Sequence, residues 1–514
     1  MSLFRSVATI GGYTLLSRVL GFLRDVLVAA YLGAGPVADA FFVAFKFPNL
    51  FRRLFAEGAF NAAFVPIFAG LVATAGRDAA KRFAEDALAV LLVALLLFTV
   101  AAELTMPWLM HAFAPGFAAD SVKFRLAVEM TRITFPYLLF ISLVSLQGGV
   151  LNSIDRFAAV AATPVLMNLC FIAGLVLLLH VTPTAGHASA WGVALAGVVQ
   201  FLWLAAAMGR AGLALSLPRP RLSPEVKRLL TLMLPATLGA GVVQVNILID
   251  IVIASVLPTG AVSYLYYADR IYELPLAVIG IAIGTALLPQ LARHARRGED
   301  HAAVASLNRG LEVALLLSLP ATAALLVIAH PIIVGLFERG AFGSIEAAKT
   351  AAALIAYALG LPAYVLIKVL APGFYAREDT RTPVKIAVVC VVANTAIALL
   401  LLRPFAHVGI AFATAASAWI NTAALTVILH RRGFFVPDAG LRRRVPRMVV
   451  ASAVMAATLW LALMPLHPWL AGDSIHRVAG LVVLVALGLA VFGAAALLLG
   501  AADRTQISRL LARA

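Results

Sequence analysis

An all-α polytopic membrane protein is the fold this sequence predicts, on three observations. The chain has 514 residues, 63% hydrophobic and only 12% charged, where soluble domains run near a quarter charged. Its apolar runs are about 20 residues long, enough to cross a bilayer as helix. Its basic residues crowd into alternate loops between those runs, as the positive-inside rule describes. The alternating ten-residue segments of an outer-membrane barrel are absent.

Hydropathy places fourteen spans, near 8–31, 37–66, 84–106, 126–150, 158–180, 188–208, 229–256, 263–290, 307–330, 350–372, 383–402, 408–429, 447–465 and 478–500. The opening MSLFRSVATIGGYTLL has no convincing cleavage site and reads as the entry to a retained first span. No stretch is long or polar enough for a separate soluble domain. Loops on one side, with both ends of the chain, carry roughly 26 basic residues, against about six on the other (Lys123, Arg125, Arg339, Lys349, Arg403 and Arg477). Both termini are therefore expected in the cytoplasm. The net charge of +16 would suggest nucleic acid in a soluble protein. Here topology and anionic lipid headgroups explain it, and no nucleic-acid partner is expected. Cys170 and Cys390 fall mid-span and read as small core residues.

Four arginines, Arg18, Arg24, Arg52 and Arg270, lie inside spans. Each costs about 2.5–3.5 kcal/mol at the bilayer centre even on a lenient scale. They must face a wet cavity or find anionic partners, and a cationic hollow suggests an anionic passenger. In the first span, SRVLGFLRD puts Ser17, Gly21 and Arg24 on one face, with Arg18 and Asp25 on a neighbouring stripe. Gly21 admits another helix or a lipid chain close to the backbone. The second span carries Asp39, Lys46, Asn49, Arg52, Arg53 and Glu57, with Pro48 expected to kink it. Arg53 and Glu57 form an i, i+4 pair, which leaves Arg52 as the better cavity residue. The eighth span carries Ser263 and the run YYADRIYELP. There Arg270 and Glu273 are i, i+3 neighbours, Pro275 introduces a kink, and Tyr264, Tyr266 and Tyr267 read as an interfacial aromatic belt. Arg132 and Lys368 read as snorkelling or paired with neighbours such as Glu129. Glu57, Glu103 and Glu129 could serve as an acid–base pair only if the fold brought them together. No P-loop, HExxH, GxSxG or metal-spaced cluster is present, so an enzyme is not expected.

The chain also repeats itself at an offset near 220 residues. Asp25 matches Asp250, Pro66 matches Pro289, Pro107 matches Pro331 and Pro136 matches Pro362. Thr163-Pro164 matches Thr382-Pro383, and Gly192 matches Gly409. The repeat implies two six-helix lobes related by a pseudo-two-fold along the membrane normal. The expected division is residues 1–215, 222–432 and an added pair of helices in 440–514.

The stretches SRVLGFLRD and ADAFFVAFKFPNLFRRLFAEGAFNAAFVP resemble the lipid II flippases of peptidoglycan synthesis, the MurJ (MviN) family. These belong to the multidrug/oligosaccharidyl-lipid/polysaccharide exporter superfamily. The resemblance runs through all fourteen spans. It implies a bacterial inner-membrane transporter with a central cationic cavity and a lipid-tail groove on the last two helices. It implies substrate-binding or cavity-lining roles for Arg18, Arg24, Arg52, Arg270, Asp39, Asn49, Glu57, Ser263, Glu273 and Ala29, and Ser17 joins them as a substrate-binding candidate from its place on the Arg24 face. Gly21, Pro48 and Pro275 are candidate packing or hinge positions. Some members hold sodium, for which Asp250 and Asn394 would be the equivalents. Ala398, one turn beyond Asn394, departs from that pattern, so sodium or proton coupling stays open.

The expected function is movement of lipid II, an undecaprenyl-diphosphate-linked disaccharide-pentapeptide, from the cytoplasmic to the periplasmic leaflet by alternating access. Arginines would grip the diphosphate, the membrane potential would drive export, and no cofactor would be needed. The chain is expected to act as a monomer among membrane lipids, with cell-wall synthesis proteins as candidate partners. The alternatives are an exporter of another polyprenyl-linked glycan, a membrane-embedded polyprenyl-phosphate enzyme, and a non-transporting scaffold.

Overall fold

In the computed structural model, residues 3–53 and 60–502 are described; for 3–8, 234–240, 242–243, 281–282 and 284–286 the description is of the backbone. Among the described residues the regular structure is helical apart from one isolated bridge, Arg339 to Phe342. Nine helical runs among the described residues are long and apolar enough to cross a membrane. Their outward residues, such as Leu104, Trp108, Leu400 and Leu489, are large, apolar and exposed, as a surface bathed in lipid requires. The described residues divide into two compact units, Met1–Ser263 and Tyr264–Ala514.

The first unit opens with α1 (Leu3–Leu32), α2 (Pro36–Phe51), α3 (Phe60–Ala75) and α4 (Arg77–Phe113). The expected second span, 37–66, includes residues 54–59, which lie outside the described residues. Arg52 and Arg53 lie in a π-type turn after α2, and Glu57 lies outside the described residues. Pro48 stays inside α2. It has no N–H for the carbonyl four residues back, and that carbonyl, on Ala44, accepts from the Thr134 hydroxyl at 2.9 Å instead. Phenylalanines at four-residue spacing form a ladder on α3. Phe60, Phe64 and Phe68 stack at 5.1 and 5.7 Å, and Phe83 of α4 stacks on Phe64.

A 3-10 turn (Pro115–Ala119) leads to α5 (Ser121–Thr134), α6 (Tyr137–Ser153), α7 (Phe157–Ala161), α8 (Thr163–Leu177), α9 (Ala185–Arg210) and α10 (Pro224–Ser255). The helices α8 and α9 meet at glycines. A Cβ on Gly174 would sit 2.4 Å from the Gly192 Cα, so neither position has room for a side chain. The segment between α9 and α10 has no regular structure and is tied to α4, where Glu85 accepts from the Ser216 amide and hydroxyl at 2.9 and 2.7 Å.

The second unit contains α11 (Ala261–Arg296) from Tyr264 onward, α12 (Asp300–Phe337), α13 (Ser344–Ala358), α14 (Leu361–Tyr375), α15 (Arg381–Arg431), α16 (Ala439–Leu470) and α17 (Ser474–Leu498). At 51 residues, α15 would run about 75 Å if straight, more than twice a bilayer core. Ala406, with φ 47° and ψ −127°, breaks it where the expected spans 383–402 and 408–429 meet. Two of the positions matched in sequence take the same local form. Pro136 separates α5 from α6, and its match Pro362 opens α14 directly after α13 ends. The loops that follow contain left-handed residues, Asp155 at φ 59° and Glu378 at φ 61°. The added helices α16 and α17 pack on α12 through Ile328, Met455, Leu459 and Leu484. Arg444 on Glu312 at 2.9 Å secures the base of α16.

One expectation is corrected here. Tyr264, Tyr266 and Tyr267 do not form an interfacial belt; all three are buried. Tyr267 packs against Phe337 and Phe342 with centroids 5.2 and 5.1 Å away. Their ring area is spent on internal packing, which aromatic composition near a span end does not distinguish from a belt.

Candidate functional site

The first unit holds Arg24 in a cage drawn from three helices. On α1, the Asp25 carboxylate accepts from Arg24 Nε at 3.1 Å and Nη2 at 2.8 Å. Asn168 of α8 accepts from Nη1 at 3.0 Å. The guanidinium lies 5.3 Å from the Phe171 ring centre and 5.9 Å from that of Phe45 on α2. An arginine so held keeps its charge at a fixed position and orientation. The face of α1 expected from spacing is the one used. The Asn168 amide donates to the Ser17 carbonyl at 2.9 Å and approaches its hydroxyl at 3.4 Å. What approaches Gly21 is this amide: a Cβ there would stand 3.4 Å from Nδ2. Arg18, on the neighbouring stripe, is exposed.

Arg52 is oriented by its own helix. The Asn49 amide donates to the Phe45 carbonyl at 2.7 Å and accepts from Arg52 Nε at 2.9 Å. Asn49 thus spans the turn loosened by Pro48 and passes its geometry to the guanidinium.

Asp39 sits in a closed polar knot. One carboxylate oxygen accepts from the Ser263 amide and hydroxyl at 2.9 and 2.6 Å, the other from the Gly260 amide at 2.7 Å and Lys123 Nζ at 2.9 Å. The carboxylate therefore caps the first turn of α11, where backbone N–H groups lack helical partners and the dipole favours an anion. Lys123 also lies 4.2 Å from the Phe117 ring centre. Asp39 and Ser263 were expected to bind substrate; in this structure they bind each other, fully buried. Ala29, expected to line a cavity, is likewise fully buried.

In the second unit, Arg270 Nη1 donates to Glu273 at 3.1 Å, and its guanidinium lies 4.8 Å from the Tyr266 ring centre. Pro275 stays inside α11. Asp250, in the first unit, accepts from Asn246 at 3.4 Å, and Asn394, in the second, is buried. Ala398, one turn beyond Asn394, is also buried and offers no side-chain oxygen. Among the described residues no group of three or more His, Cys, Asp or Glu could hold a metal ion.

Two residues escaped sequence reasoning. Lys123 looked like a loop charge and is buried against Asp39. No local signal marks it, because its partner lies 84 residues away. Asn168 did carry a signal: it is the only amide side chain in the apolar run PVLMNLCFIAGLVL, and an amide in a membrane helix needs a partner.

Comparison with known proteins points one way. The family model described as lipid II flippase MurJ matches residues 28–480. A probable lipid II flippase MurJ of Rhizobium meliloti (strain 1021) is 46% identical over 523 residues, covering 100% of this chain and 97% of that protein. The lipid II flippase MurJ of Burkholderia cenocepacia is 40% identical, covering 90% of this chain and 91% of its own. Among solved structures, a lipid II flippase MurJ in an inward closed conformation aligns with a TM-score of 0.79 at 23% identity, covering 95% of this chain and 97% of that one. An inward-facing MATE-family multidrug transporter of the MOP superfamily aligns at 0.69 and 15% identity, covering 83% and 95%. The two structural likenesses speak to the fold.

Proposed function

The chain belongs to the MurJ family of lipid II flippases, and on that premise we propose that it moves lipid II from the cytoplasmic to the periplasmic leaflet of a bacterial inner membrane. The route is alternating access, with the lipid's diphosphate gripped by arginines of the membrane helices. The family consists of transporters, and the chain is not an enzyme. The observation that carries the arginine reading is Arg24, a guanidinium within a membrane helix whose direction is set by Asp25, Asn168 and two aromatic rings. A planar fork suits phosphate oxygens two at a time, which a lysine ammonium cannot do. Arg18, Arg52 and Arg270 supply the remaining positive charge. Gly21, Pro48 and Pro275 are the positions where helices would bend.

With the cytoplasm negative, an outward-moving anion gains about 2.3 kcal/mol per charge per 100 mV. A doubly charged diphosphate gains at most about 4–5 kcal/mol at that voltage, less whatever charge the arginines carry with it. That is enough to drive export without a nucleotide, and no sodium step is invoked. Both termini face the cytoplasm on this reading, and the polyprenyl tail runs along α16 and α17. The protein works as a monomer.

The test replaces Arg18, Arg24, Arg52 and Arg270 singly by alanine and measures lipid II exposed at the outer leaflet, with expression checked. Loss of exposure in the variants is expected, as is slowing when the membrane potential is collapsed. Full exposure in all four variants overturns the arginine reading.

A further inference from the structure

Asp25 and Asn168 both hold Arg24, but they do different things to it. Asp25 is the next residue on the same helix and lends an opposite charge through Nε and Nη2. Asn168 lends no charge. Its Oδ1 accepts from Nη1 at 3.0 Å, while its Nδ2 donates to the Ser17 carbonyl at 2.9 Å, two helical turns before Arg24. One amide therefore ties the guanidinium to the backbone of its own helix from across an interface. It reaches both points because it lies over Gly21, midway between them, where a Cβ would already be in contact with Nδ2 at 3.4 Å. Any side chain larger than alanine would push the amide aside. Asn168 is itself buried, and its backbone is held by the close packing of α8 on α9 at Gly174 and Gly192.

We propose that Asn168 is a positioning residue that fixes the plane of the Arg24 guanidinium, so that the site prefers a lipid diphosphate over a lipid monophosphate. The inference rests on the lipid-diphosphate reading of Arg24. A freely rotating guanidinium attracts either headgroup by charge. A guanidinium held in one plane rewards the group whose two phosphates reach its N–H donors together. Asn168 thus acts on selectivity, and Gly21 is the space that lets it act. The ordinary role of a membrane-helix asparagine, joining two helices, predicts a loss of stability with no change in selectivity.

Binding of undecaprenyl diphosphate and undecaprenyl monophosphate to the purified full-length protein in nanodiscs separates these roles. Wild type is expected to favour the diphosphate. N168L is expected to lose about tenfold on the diphosphate and less than threefold on the monophosphate, in line with one lost charge-assisted hydrogen bond. G21V attacks the same contact from α1 and is expected to shift the ratio the same way, which keeps the test open if either variant folds poorly. R24A is expected to weaken both lipids. An unchanged ratio in folded N168L or folded G21V, with R24A impaired, overturns the positioning role alone. R24A binding both lipids as wild type does overturns the arginine reading, and the positioning role falls with it.

Discussion

Arg24 and Arg270 are the same residue type, each in a long helix beside an acidic neighbour, yet their surroundings differ. The Arg24 and Asp25 side chains are 11% and 8% exposed, and the guanidinium meets partners from α1, α2 and α8. The Arg270 and Glu273 side chains are 30% and 43% exposed, with contacts to Glu273 and Tyr266 on the same helix. The first pair is nearly buried among three helices; the second is about a third exposed, where water screens its charges. The difference teaches that a cation's partners, more than its place in a helix, decide whether its geometry or its charge is being used.

The comparison breaks most easily at lysine. Arg24→Lys cannot satisfy Asp25 and Asn168 together, because one ammonium replaces donors spread over a planar fork. Outer-leaflet lipid II should fall at least about tenfold, the scale of one charge-assisted hydrogen bond. Arg270→Lys keeps a charge that can still meet Glu273, and flipping should stay within about threefold, the range expected for a half-exposed ion pair. Equal losses in the two variants, measured at matched expression, would remove the distinction.

A second contrast concerns stability. Lys123 and Asp39 are 5% and 1% exposed, and removing one partner strands a buried charge. Lys123→Met should lose about 3–5 kcal/mol in reversible unfolding from detergent. Glu273→Gln, at the exposed pair, should lose less than about 1 kcal/mol. Adding Asp39→Asn to Lys123→Met should restore part of the loss, because the stranded carboxylate is then neutral. Between these extremes lies Thr134→Val, which leaves the Ala44 carbonyl without the hydroxyl that replaces the missing Pro48 N–H. About 1–3 kcal/mol is expected for a buried acceptor left unsatisfied.

How much of this the sequence disclosed follows the range of each interaction. Apolar runs and helical periodicity are local, so the helical class, the membrane character and the shared face of Ser17, Gly21 and Arg24 were legible. So was the Arg270–Glu273 pair, and the matched prolines Pro136 and Pro362 do stand at the α5–α6 and α13–α14 breaks. The Asn168–Arg24 and Lys123–Asp39 contacts join residues 144 and 84 apart, and no local pattern encodes which polar group a folded chain will bring to which. Pro48 shows the limit within one element. Its missing donor was evident from the residue type, but the hydroxyl that compensates comes from α5. The three tyrosines failed for a related reason, since ring composition does not say which way a helix face turns.

The far end of the series is Asp379, outside the membrane helices, with Arg432 at 2.7 Å and side chains 23% and 41% exposed. Its carboxyl is held below the usual carboxylate range, first by the Thr382 hydroxyl and then by Arg432 and the Thr382 amide. A lowered native value means the unfolded chain binds the proton more readily. The contribution to stability is therefore full above the ordinary aspartate value of about 4 and fades as pH falls through the native value. Asp379→Asn should flatten that acid limb and leave stability near neutral pH only slightly reduced, since an exposed pair is screened by water. Thr382→Val and Arg432→Ala should each move the limb toward the ordinary aspartate range, because the hydroxyl and the guanidinium both hold the carboxylate. A limb that moves with Arg432→Ala and stays put with Thr382→Val would mean that charge alone holds this carboxylate, and would weaken the reading of Arg24 as a cation held for its orientation.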